Sequence, residues 1–185
     1  MFDRSTNLIL VLALLAAIIG GFAQHQRRSP VIPQVDSALV GRSVPALSLP
    51  DLQGRPHVLA DYRGRRVLLN FWATWCGPCL KEMPALDQAQ RKFGDQGAIV
   101  LGIAMDEPER VRGFLASNPV SYPILLGDLG DPSTSSQLGD DREILPYSVL
   151  VGEDGRIIAT HAGELSAARL EGWLNPVRAL PANRN

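Results

Sequence analysis

Cys76 and Cys79 are the only cysteines in this chain of 185 residues, and two residues, Gly77-Pro78, separate them. Two thiols at this spacing can close into a small disulfide ring and open again. No other cysteine competes for either partner. Half of a zinc site would need a second Cys/His pair, and His25, His57 and His161 offer no such spacing. The chemistry that fits is thiol–disulfide exchange, with no metal and no cofactor.

Thiolate chemistry needs an element that lowers a thiol pKa. The apolar run Val67 to Ala73 reads as a buried central strand. Leu80, Met83, Leu86, Ala89 and Phe93 then recur at helical spacing, with Pro78 suited to a first turn and Gly94 to the end. Cys76 is therefore expected between a strand end and a helix N-terminus, where partial positive charge favours a thiolate. Cys79 follows one turn further in. Gly77 lets a partner backbone approach, and Pro78 fixes φ and withholds an N–H. Trp75 is expected to cover the pair and touch partners, and Trp72 to pack in the core. Pro84 is expected to kink the helix, since it removes the bond to the Leu80 carbonyl. Glu82, three residues after Cys79, shares its helix face.

The rest of the chain bounds the setting. The near-neutral charge, formally −1, implies no nucleic-acid surface. Leu8 to Ala23 is uncharged and apolar. As a helix it would span about 24 Å, somewhat short of a bilayer core of about 30 Å. An uncleaved membrane anchor is preferred over a signal peptide cleaved after Ala23, and both stay open. Arg27 and Arg28 after the stretch would by charge alone keep the domain inside. The layout of one short apolar stretch before one soluble domain favours export. The expected divisions are 1–23 for this segment, 24–40 for a polar tether, 41–178 for the domain and 179–185 for a tail.

Within the domain, strands are expected at Pro45 to Leu49, His57 to Leu59, Ala98 to Ala104 and Tyr122 to Leu126. A second helix is expected at Pro108 to Ala116, and a loop with one helical turn at Asp128 to Gly139. Tyr147 to Gly152 and Arg156 to His161 read as a hairpin turned by Glu153-Asp154-Gly155. Ser166 caps a last helix to about Leu174. The order implies an α/β thioredoxin fold, a mixed central sheet flanked by helices on both faces. His161, at a strand end before Gly163, is expected to be structural.

Gly41-Arg42-Ser43-Val44-Pro45-Ala46, Tyr62-Arg63-Gly64, Asn70-Phe71-Trp72-Ala73-Thr74-Trp75-Cys76-Gly77-Pro78-Cys79, Lys81-Glu82-Met83-Pro84, Leu145-Pro146 and Asp154-Gly155-Arg156 together carry a resemblance. The chain resembles the exported, membrane-associated thioredoxin-like proteins of the TlpA/ResA family over about Val44 to Leu174. The resemblance implies that Cys76 is the nucleophile and Cys79 the resolving thiol. Pro146 would be the cis-proline that docks substrate, with Leu145 offering its backbone to an extended partner. Glu82 would accept the Cys79 proton, because Asn70 stands where cytoplasmic thioredoxins carry a titrating Asp. The Gly-Pro dipeptide is that of thioredoxin, a reductant near about −270 mV.

The expected function is a disulfide reductase acting on exported proteins, with cytochrome c maturation as one setting. Its partners would be protein substrates bearing disulfides or thiols and a membrane electron donor. The expected place is the bacterial inner membrane, with a monomeric domain on the periplasmic side. Three alternatives stay open: a disulfide oxidase or isomerase, a copper metallochaperone using the same cysteines with His161 as third ligand, and a peroxide-reducing relative. The last would carry its cysteine in a Thr-x-x-Cys loop.

Overall fold

The computed structural model describes residues 38–175, all within the second of the chain's two units, Val35–Asn185. The apolar stretch Leu8 to Ala23, most of the tether and the C-terminal tail lie outside the described residues. Among the described residues no helix is long and apolar enough to cross a membrane.

A five-stranded sheet runs in the order β5-β4-β3-β6-β7. Its strands are β3 (Arg66–Trp72), β4 (Ala98–Ala104), β5 (Ile124–Leu126), β6 (Tyr147–Val151) and β7 (Ile157–Ala162). β3, β4 and β5 are parallel, while β6 and β7 add antiparallel on the other side. A separate hairpin pairs β1 (Ser48–Pro50) with β2 (Pro56–Val58). The helices are α1 (Gly77–Phe93), α2 (Pro108–Ser117) and α3 (Ala167–Leu174). Backbone bonds from Gly41 to Ile157 and from Val44 to Gly155 tie the lead-in to the β6–β7 hairpin. Gly155 turns that hairpin at φ 79°, a conformation that costs glycine little.

The central strand shows why the sheet holds. Val67 to Trp72 are all buried, and alternate side chains feed two cores. Leu68 and Trp72 face α1 and α3, packing with Met83, Leu86, Leu170 and Leu174. Val67, Leu69 and Phe71 face the other way, with Leu101, Tyr147 and Ile157. Burying one such leucine contributes about 1.5–3 kcal/mol.

The expected helices on both faces are distributed unevenly. Val111 of α2 and the half-buried Phe114 and Leu115 join the same core as α1 and α3, and Phe114 lies 5.6 Å from the Trp72 ring. The order β3, β4, β5 steps in one direction across the sheet, so right-handed crossovers put α1 and α2 on one face. The opposite face is covered by Leu49 and Leu59, with 3-10 helical turns at Leu59–Tyr62 and Ser136–Leu138. β5 is shorter than expected and starts after Pro123, which has no N–H for a ladder. The first strand begins at Ser48, not Pro45. α1 continues through Pro84 to Phe93.

Candidate redox site

Cys76 and Cys79 form a disulfide, with Cα atoms 5.3 Å apart. Cys76 is the N-cap of α1, its sulfur accepts from the Cys79 N–H at 3.3 Å, and Pro78 occupies the first turn. The helix start therefore points a backbone donor at this sulfur, the arrangement that stabilises a thiolate. Cys76 keeps 5% of its surface and Cys79 none, so both sulfurs are buried while the ring is closed. Trp75 beside them is 67% exposed.

The loop that presents Trp75 is anchored by a residue that the sequence did not single out. Asp106, just past the end of β4, accepts from the Thr74 N–H at 3.0 Å, from the Thr74 hydroxyl at 2.5 Å and from the Glu107 N–H at 2.8 Å. Burial would raise its pKa. The Thr74 and Glu107 donors and Arg110 outweigh that and hold it low. An acidic residue two positions past a buried strand was the signal available, though its target lies 32 residues away.

The Leu145–Pro146 peptide bond is cis, in accord with the expected conformation. Pro146 is buried, Leu145 half-buried and Ile144 exposed, directly before β6. The Pro146 carbonyl accepts from the Gly163 N–H at 2.7 Å, which ties this loop to the β7–α3 connection. A second cis bond, Asp131–Pro132, was not foreseen.

Glu82 lies on the buried stripe of α1 that contains Cys79, Met83 and Leu86, and is 2% exposed. It is not a solvated surface residue beside Lys81. Its Oε1 accepts from Asn70 Nδ2 at 2.7 Å and its Oε2 from the Leu165 N–H at 2.7 Å. Burial pushes its pKa up to about 7. The Leu165 and Asn70 donors oppose this, and Glu164 adds to it. A carboxylate so placed changes protonation near neutral pH.

His161 packs against Arg169, and its Nε2 lies 3.3 Å from the Glu164 carbonyl. Burial, with the Arg169 charge, lowers its pKa. It serves the β7–α3 junction. Among the described residues no group of three His, Cys, Asp or Glu side chains could hold a metal ion.

A mixed sheet, a disulfide at the start of the helix after its central strand, and a cis-proline before the antiparallel pair define a thioredoxin-like protein. Residues 39–172 match the Redoxin family model, and the chain belongs to this family. It is similar to the thiol-disulfide oxidoreductase ResA of Bacillus anthracis, at 29% identity over 91% of this chain and 94% of that one. It is also similar to the thioredoxin-like protein YneN of Bacillus subtilis (strain 168), at 33% identity over 71% of this chain and 76% of that one. Among solved structures it resembles the thioredoxin domain of a thiol-disulfide oxidoreductase from Bacteroides vulgatus. That match has a TM-score of 0.64 at 26% identity and covers 77% of this chain and all of that one. The chain is a thioredoxin-like thiol-disulfide oxidoreductase, and its substrates are proteins with thiols or disulfides.

Proposed function

We propose that the protein is a reductase of protein disulfides, carried on the outer side of a bacterial cytoplasmic membrane by its N-terminal segment. The observation that carries the direction is the Gly77-Pro78 pair between the cysteines, with no histidine to stabilise the thiolate further. A less stabilised thiolate makes a more reducing couple. The apolar Leu8 to Ala23 stretch supports the membrane attachment, and a membrane electron donor would return the pair to its reduced state. The domain acts as a monomer.

Cys76 attacks a partner disulfide as thiolate. One partner sulfur leaves with the electron pair, and a mixed disulfide forms. Cys79 gives its proton to the Glu82 carboxylate and attacks Cys76 Sγ. The Cys76–Cys79 bond closes and the second partner sulfur leaves as thiolate. The partner is reduced by two electrons and the pair is oxidised by two. Trp75 and the backbone of Leu145 and Pro146 receive the partner chain as an added extended strand, while Gly77 and Pro78 leave room for it.

The test is the equilibrium reduction potential of Cys76–Cys79 in the full-length protein, by thiol labelling in dithiothreitol buffers. A value below about −230 mV is expected. A value above about −150 mV would make the protein an oxidant.

A further inference from the structure

The sheet register places Gly102, Asn70, Ser148 and His161 in one row across β4, β3, β6 and β7. On β3 the α1 face reads Leu68, Asn70, Trp72, so the row puts an amide between two fully buried apolar side chains. A buried amide is costly unless its bonds are made. Here one nitrogen makes two. Asn70 Nδ2 donates to Glu82 Oε1 at 2.7 Å and to Ser148 Oγ at 3.1 Å. An amide oxygen in that position would face a carboxylate oxygen, so the nitrogen belongs there. Asn70 is 1% exposed and Ser148 not at all.

We propose that Asn70 is the positioning residue for Glu82: its amide, oriented by the Ser148 hydroxyl, holds the carboxylate in the place and charge state needed to take the Cys79 proton. This rests on the reading of Glu82 as that acceptor. Asn70 cannot titrate, so it offers Glu82 a donor without adding a second buried charge. An aspartate there would face Glu82 as a like charge and disfavour its ionisation. The Leu165 N–H, from the far side, holds the other oxygen. Together the two donors oppose the desolvation of Glu82 and keep its ionisation within the neutral range.

Other titratable or charged side chains lie on the elements around this carboxylate. Cys79 and Lys81 lie on α1, and Lys81 pairs with Glu164 at 2.9 Å. Glu164 stands on the β7–α3 connection and Tyr122 precedes β5. His161 closes the row on β7, with Arg169 of α3 against it. Asn70 is the side chain that donates to Glu82 among the described residues, so its removal should act on Glu82 most directly.

The experiment follows Glu82 by carboxyl-carbon NMR in the full-length reduced protein, wild type against Asn70→Ser and Asn70→Leu. Serine keeps a polar neighbour for Ser148 but is too short to reach Glu82, so one of the pair should fold if the other does not. The Glu82 midpoint should rise by about one pH unit, the loss of one donor to a carboxylate. Release of thionitrobenzoate from a Cys76 mixed disulfide, which reports Cys79 attack, should slow about fivefold at pH 7 and recover at higher pH. An unchanged Glu82 midpoint in a folded Asn70 variant overturns the role of Asn70. Should Glu82→Gln leave the pH profile of that release unaltered, the acceptor reading falls and this inference falls with it.

Discussion

Glu82 beneath α1 and Asp51 at the β1–β2 turn are both buried carboxylates, yet their titrations are driven in opposite directions. Burial raises both. Asp51 is then pulled down to about 2 by the Arg55 N–H and guanidinium, the Gln53 N–H and His57. Its Oδ1 takes two backbone donors at 2.8 and 2.9 Å, and its Oδ2 meets Arg55 Nε at 2.8 Å. Glu82 has two neutral donors among the described residues, Asn70 and the Leu165 N–H, and it stays at about 7. Burial alone therefore does not decide the state of a carboxylate. Depth of burial decides it together with the number and charge of donors. The hairpin carboxylate is fixed as an anion and holds a turn. The one beneath α1 is poised to gain or lose a proton.

The contrast breaks most sharply at the level of turnover. Cys79→Ala should lower disulfide reduction by about a thousandfold or more and leave partners trapped on Cys76. Asp51→Asn should leave turnover unchanged. A non-reducing gel with a disulfide-bearing protein substrate reads both. If Cys79→Ala released its partner at the wild-type rate, the resolving role would be lost.

The two carboxylates should also tilt the pH dependence of stability in opposite senses. The folded pKa of Glu82 lies above its unfolded value, so its contribution is fully present below about 4.5 and is lost as pH rises through about 7. The size is about 3 kcal/mol. Denaturant titrations of the full-length chain from pH 4.5 to 8 should show that decline, and Glu82→Gln should remove it. The folded pKa of Asp51 is depressed, so its contribution is present above about 4 and lost as pH falls through about 2. Asp51→Asn should flatten the acid limb and leave the neutral limb alone. Equal slopes in both variants would erase the distinction between the two regions.

Much of this was legible in the sequence where one local pattern settles the structure. Cys76-Gly77-Pro78-Cys79 before a helical stripe placed the disulfide at a helix start, and Ser166 does cap α3 by accepting from the Arg169 N–H. Ala98–Ala104 matches the expected strand at both ends. Helical spacing put Glu82 beside Cys79. The sequence could not show what holds it, because Ser148 lies 78 residues from Asn70 and Leu165 lies 83 from Glu82. Those partners meet through strand register and a loop return, which no local period encodes. The same holds for Asp106 and Thr74. The uneven division of the helices between the two faces follows from strand order, which the pattern of elements leaves open.

The most direct measurement is the pH profile of Cys79 attack, read as thionitrobenzoate release from the Cys76 mixed disulfide in wild type and Glu82→Gln. If Glu82 takes the Cys79 proton, the wild type shows an inflection near pH 7 that vanishes in the variant, together with a rate loss of about a hundredfold. Superimposable profiles would contradict that role and leave Glu82 a buried acid with no part in the chemistry.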